Sequence, residues 1–362
     1  MKQRQKITKV IPFAVILLAF LLMPVLGLNS RSWINLFITI VINIVVACSL
    51  RVITLSGNMS FAHGAFMGVG AYTAGMLGVY LSWPIWLTIP LGAILATIAG
   101  VLTGWPFARL KTIYFCMGTM FMGQAIVLLI SSWDLAGGAM ALRGIPSLST
   151  ALGGLADAMG EDVKSYQVVF YLILIVAVVC LLIMYRFEHS RIGTTLRALA
   201  QSEDVAASIG VNPTFYRLLA MGVGCFFAGL MGGFQAHYLT TLSYNSFSMN
   251  LTLWLIMYMM IGGKNTFIGP IIGAILVSFV ENIANLLTSL SGSSTNEAFV
   301  AFSRWLGTNA TYTPFLTAAV LLVVAYLLPN GLAGIPGSIR TAREKRKEKQ
   351  EIADMMKGGE QK

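Results

Sequence analysis

RFEHSRIGTTLRALAQSEDVAASIGVNPTFYR, residues 186–217, is a charged and polar stretch set inside hydrocarbon. The apolar run YQVVFYLILIVAVVCLLIMY leads into it, and LLAMGVGCFFAGLMGGF follows it. The stretch has a periodicity of its own. Leu196 and Leu199 place one short helix over TTLRALAQ, and Val205 and Ile209 place a second over SEDVAASIG. Ser202 is an N-cap residue for the second piece, with Glu203 and Asp204 in the first turn, where the helix dipole favours acidic groups. Gly210 is a C-terminal stop and Asn212-Pro213 starts the return. Two capped helical pieces are more than a connector needs, so the stretch reads as a docking element for a soluble partner. A solvated connector is the alternative.

The rest of the chain cannot cover a water-facing surface. Of 362 residues, 57% are hydrophobic and 10% charged, against about 25% charged in a soluble domain. Apolar runs near twenty residues long read as membrane-spanning helices, and their continuity favours a helix bundle over a barrel. Spans are expected at 10–28, 33–52, 60–80, 85–107, 112–131, 167–185, 217–239, 247–263, 267–289 and 312–329, so the fold class is an all-α, polytopic transmembrane bundle of about ten spans. The N-terminus has the charge order of a signal peptide. Its apolar region is longer than an h-region and no A-x-A site follows, so a retained first helix is expected.

Charge placement orients this layout. With residues 1–9 cytoplasmic, the same side holds Arg51, Arg109, Lys111, the 187–216 loop with its flanking Arg186 and Arg217, Lys264 and the tail. That is twenty of the 24 Lys and Arg, with Arg31, Arg143, Lys164 and Arg304 opposite. Such a bias implies that both termini lie in the cytoplasm. The net charge of +10 then faces anionic lipid headgroups and does not call for nucleic acid. Residues 1–335 form the expected transmembrane domain, with the cytoplasmic loop 187–216 included, and 336–362 a basic cytoplasmic tail. The outer loops 132–166 and 290–311 are either docking surfaces for an external partner or connectors.

No catalytic constellation is present. His63, His189 and His237 pair with no Ser or Cys nucleophile in a recognisable pattern, and the four cysteines sit singly in apolar runs. Without a GxxxxGK[ST] loop the chain does not bind ATP by that route. Integral-membrane enzymes are disfavoured for want of paired acids, bases or metal ligands.

SGNMSFAHGAFMGVGAYTAGMLG (56–78) is an unusual membrane segment. Gly64 and Gly68 form a small-xxx-small pair, which suits close helix packing or a pathway wall. Asn58, Ser60 and His63 are costly in hydrocarbon unless they face protein or a water-filled cavity. IGGKNTFIGPIIGA (261–274) has the same character, with Gly269, Pro270 and Gly273 opening a span. Glu281 lies inside the following span. It is either a functional intramembrane carboxylate or an interfacial group bonded to Asn285. Gln124 and Gln235 are weaker candidates of the same kind.

These segments resemble a known family. SGNMSFAHGAFMGVGAYTAG is similar to the "SGQ.S.GHGAF..IGAY" signature of permease subunits in branched-chain amino acid ABC importers of the LivM type. RIGTTLRALAQSEDVAASIGVNP resembles their "R.G...RAIRE.E.AA...G.N" loop, GGKNTFIGPIIGA their "GG.GT..GP..GA" motif, and YLLPNGLAG their "LF.P.GL.G" close. The four motifs keep the family's order between about residues 33 and 335. Lys264-Asn265 and Asn58-Met59 depart from the pattern, where small residues and Gln plus an apolar residue are usual.

The resemblance implies a complex of this chain with a second similar permease, two ATP-binding subunits that bind the ATP and magnesium, and an extracytoplasmic substrate-binding protein. Arg197, Ala198, Glu203, Asp204, Ala206 and Gly210 would then belong to the ATPase-coupling segment, with only small residues tolerated at Ala198, Ala206 and Gly210. The implied substrates are leucine, isoleucine and valine. Urea, amide or sugar transport is the alternative within the family. A proton-coupled carrier using Glu281 and His63 is the alternative outside it.

Overall fold

Hydrocarbon offers no hydrogen bonds to a backbone, so long apolar runs close their amides and carbonyls internally as helices. A computed structural model describes residues 31–110, 112–153, 165–263 and 266–281. The helices are α1 (Arg31–Thr54), α2 (His63–Tyr80), α3 (Ile85–Phe107), α4 (Thr112–Ser132), α5 (Leu148–Ala151), α6 (Ser165–Glu188), α7 (Arg191–Gln201), α8 (Glu203–Ser208), α9 (Pro213–Leu239), α10 (Met249–Gly262) and α11 (Ile268–Glu281). Five of these, α1, α3, α4, α6 and α9, are long and apolar enough to cross a membrane. The helix at the expected 60–80 span, α2, is rich in glycine and is not one of the five. The expected spans 10–28 and 312–329, the outer loop 290–311 and the tail 336–362 lie outside the described residues.

The chain divides into two compact units, residues 1–257 and 258–362. In the first, α9 is the central helix, packed by α3, α2 and α1. Missing side chains make this possible. A Cβ on Gly92 of α3 would lie 2.5 Å from the Gly70 carbonyl oxygen of α2, and Gly70 in turn meets Gly229 of α9 backbone to backbone. Close backbone approach replaces the hydrophobic driving force that lipid does not supply. The outward faces of α3 and α4 stay apolar, with Leu102, Ile113, Phe121 and Leu128 exposed.

One end of this unit gathers the C-termini of α1, α3 and α6 with the start of α9. At the other end a two-stranded ribbon pairs Leu142–Arg143 with Thr241–Leu242. The Tyr72 hydroxyl donates to the Leu242 carbonyl (3.1 Å), and His237 Nδ1–H donates to that of Pro146 (2.9 Å). The described part of the 132–166 loop is therefore tied to the bundle.

In the second unit, α11 turns back on the end of α10. Gly269 meets the backbone of Gly263, and Gly273 that of Tyr258. Pro270 is buried as the third residue of α11, where a missing amide costs little.

Candidate functional site

Each helix of the polar stretch begins at a side chain that satisfies a free amide. Ser190 Oγ accepts from Gly193 N–H (3.4 Å) and Ser202 Oγ from Val205 N–H (3.5 Å). Asn212 Oδ1 accepts from Phe215 N–H at the start of α9 (3.3 Å). Gly210 has φ +86°, a left-handed conformation that ends α8 and that residues with a Cβ avoid.

Three ion pairs hold this loop to the bundle. Arg51, 3% exposed, donates from Nε and Nη2 to the two oxygens of Glu188 (3.1 and 2.8 Å). Arg197 of α7 reaches the same carboxylate (3.2 Å) and the Glu188 carbonyl (2.9 Å). Glu188 thus joins the ends of α1 and α6 to α7. Further along, Arg217 at the start of α9 grips Glu203 with both terminal nitrogens (3.1 and 2.7 Å) and the Ala108 carbonyl with Nη1 (3.1 Å). A small apolar cluster of Leu55, Leu196 and Ala220 fills the space beneath.

The loop's outer surface is apolar as well as charged. Val205 is 64% exposed and Ile209 76% exposed, with Phe215 beside them in sequence also exposed. Ala198, Asp204 and Gly210 are at the surface too. Ala206, by contrast, is 3% exposed: it points into its own chain, so its small size serves packing of α8 on the bundle. Among the charged residues singled out from sequence, Arg197 and Glu203 spend their hydrogen bonds within the chain. Their partners Arg51, Glu188 and Arg217 were not singled out. The available signal was Arg51, a cation inside an apolar span, which calls for a counter-charge.

Residues 58–62 connect α1 to α2 without regular secondary structure. Their backbone is held to α4: Cys116 Sγ–H donates to the Met59 carbonyl (3.2 Å) and Phe61 N–H to Thr119 Oγ1 (3.2 Å). Asn58 and Ser60 are buried. Both polar atoms of Asn58, Ser60 Oγ and His63 Nδ1 have no hydrogen-bond partner among the described residues. A buried polar atom left so costs about 1–3 kcal/mol, and four fall within six residues. At the first turn of α2, Gly64 N–H donates to Thr252 Oγ1 of α10 (2.9 Å). Gly68 packs on Phe247, whose Cβ would lie 2.8 Å from a Cβ there.

Glu281 is the last described residue of α11, and its side chain is exposed. Asn285, Lys264 and Asn265 are outside the described residues. Gln124 is exposed, and Gln235 has an unpartnered Oε1. Among the described residues no group of three His, Cys, Asp or Glu side chains gathers to hold a metal ion.

Comparison with known proteins places this arrangement. The chain is 27% identical over 265 residues to the high-affinity branched-chain amino acid transport system permease protein LivM of Salmonella typhimurium, an alignment covering 68% of this chain and 62% of that protein. It is 26% identical to LivM of Escherichia coli over the same shares. It therefore spans under two thirds of the length of these relatives. It is also 29% identical over 187 residues to the autoinducer 2 import system permease protein LsrD of Salmonella typhi, covering 50% of this chain and 52% of that one. No solved structure matches. The family described as "Branched-chain amino acid transport system / permease component" matches residues 32–329, and the chain belongs to that family of membrane transport permeases.

Proposed function

We propose that this chain is a membrane-spanning subunit of an ATP-driven importer in a prokaryotic plasma membrane, and that it carries branched-chain amino acids by alternating access. Two ATP-binding subunits, a second similar permease and an extracytoplasmic substrate-binding protein complete the complex. Family membership over residues 32–329 carries the reading, and the likeness to LivM supports the substrate. The exposed apolar side chains of Val205, Ile209 and Phe215 on a loop pinned by ion pairs support the partner. Such a surface suits a docking helix that moves as a body with the bundle. The loop and both termini lie on the cytoplasmic side in this reading, as the distribution of basic residues requires.

The likeness to LsrD favours one second reading, an autoinducer- or sugar-type solute carried by the same mechanism. Purification of the native complex, followed by uptake into proteoliposomes with internal ATP, separates the two. Leucine, isoleucine or valine accumulates under the first reading and a sugar-like solute under the second. Accumulation by the chain alone under a proton gradient, lost in Glu281→Gln, would replace both with a carrier.

A further inference from the structure

The unpartnered polar groups of residues 58–63 are not accounted for by packing. Asn58 and Ser60 lie buried in the piece that links α1 to α2, and His63, buried too, opens α2. Ser49 of α1 occupies one ring nitrogen of His63: its Oγ lies 2.8 Å from Nε2 and 2.8 Å from the Val46 carbonyl oxygen. Nδ1 is the ring nitrogen left over, a donor or an acceptor according to the tautomer. With it stand the Asn58 carbonyl oxygen, the Asn58 amide as donor, and the Ser60 hydroxyl, which does either. Both kinds of group are offered within one short segment, and none is spent on the protein.

The surroundings limit what they take. From residue 52 to residue 108 the chain carries no Asp, Glu, Lys or Arg, so an ion with net charge would find no counter-charge on this segment. The one amide that Gly64 would offer at the helix start is already bonded to Thr252. The segment also touches the moving part of the reading above: it begins at Gly57, which lies against Ala200 of α7.

We propose that Asn58, Ser60 and His63 form a polar station for a net-neutral small solute that has both hydrogen-bond donors and acceptors. A zwitterionic amino acid head and the hydroxyls of a sugar share that chemistry. The station rests on the importer reading, since it places the transported solute there.

Nitrogen NMR of the full chain in lipid nanodiscs, with the His63 signals identified by their loss in His63→Asn, tests the station without any ATPase. Leucine and ribose are the two probes. The expected result is a shift of the Nδ1 signal on titration with one of them, and that one names the source. Asn58→Leu weakens the apparent affinity about tenfold or more, Ser60→Ala weakens it less, and Asn58→Gln retains most of it. Met59→Leu, which removes none of the unpartnered polar groups, changes nothing. Thermal unfolding accompanies each variant. Asn58→Leu leaves the melting temperature unchanged or raised, because it removes unpaired buried groups. A lowered value in both Asn58→Leu and Ser60→Ala would make them structural and overturn the station. So would a signal that neither probe moves, which means that water alone satisfies these groups. If the probes do nothing while ATP-driven uptake by the complex is intact, the station fails and the importer stands. If binding is seen and the complete complex transports nothing, the importer reading fails and the site stands.

Discussion

A Cβ on Gly57 would come within 3.1 Å of the Ala200 Cα. The end of α7 thus sits directly on the chain that leads from α1 into the polar segment. Nothing larger than the Ala200 methyl stands at this contact, so a displacement of the loop would press directly on Gly57. Gly57 also has φ +84°, where a side chain costs about 1–2 kcal/mol. Gly57→Val should therefore push α7 away from the bundle. The expected outcome is a complex that assembles and hydrolyses ATP at its basal rate but gains little on adding substrate. The ratio of stimulated to basal hydrolysis measures it, and a ratio equal to the unsubstituted complex would show that the contact transmits nothing.

Glu188 carries a different load. It is 4% exposed and neutralises Arg51 through two hydrogen bonds. Removing one member of such a pair leaves the other charge buried, which costs about 3–5 kcal/mol. Glu188→Gln should lower the folded yield and the melting temperature in nanodiscs sharply. Arg51→Met combined with Glu188→Leu should recover most of the loss, because no bare charge remains. Arg51→Lys should fall between, since an ammonium cannot reproduce the forked geometry. Equal losses in the single and the paired substitutions would show that the charges do not act together.

Sidedness has its own test. The native thiols give little background: Cys48, Cys180 and Cys225 are buried and Cys116 is partly so. A cysteine placed at Met140, 86% exposed on the ribbon side, should react with an impermeant thiol reagent added outside intact cells. One placed at exposed Ser208 should react only after the membrane is opened. Labelling of Ser208→Cys from outside would reverse the orientation drawn from the basic residues.

The helices were legible because their cause is local. A continuous apolar run has one way to satisfy its backbone in lipid, so α1, α3, α4 and α6 lie within a few residues of the spans read from sequence. The caps at Ser202, Asn212 and Gly210 were legible for the same reason. Each side chain or backbone angle acts on its own neighbours. The ion pairs were not, because Arg51 and Glu188 are far apart in sequence and only the packing of α1 on α6 brings them together. Ala206 shows the limit most clearly. Periodicity marked α8 as amphipathic, but which face turned inward depended on α9 and the Arg217–Glu203 grip, which no local pattern encodes.

That orientation of α8 yields the sharpest test of the docking surface. Val205 and Ile209 point outward and Ala206 inward, so substitutions one residue apart should have opposite consequences. Ile209→Glu and Val205→Glu replace side chains that are mostly exposed within the chain. They should leave its melting temperature unchanged and weaken association with the ATP-binding subunits, since an apolar residue buried at an interface contributes up to a few kcal/mol. A loss of about 1.4 kcal/mol already weakens association tenfold. Ala206→Trp should act the other way. A large ring does not fit beneath α8, so the chain itself is destabilised by about 1–3 kcal/mol, and any loss of association follows from that. Phe215→Glu, at the start of α9, should behave like the first pair if the surface extends that far. Melting temperature and co-purified ATPase, measured on the same preparations, separate the two effects. Should Val205→Glu and Ile209→Glu complexes assemble with unchanged stoichiometry and hydrolyse ATP normally, the loop is a connector and the ATPase contact lies elsewhere on the chain.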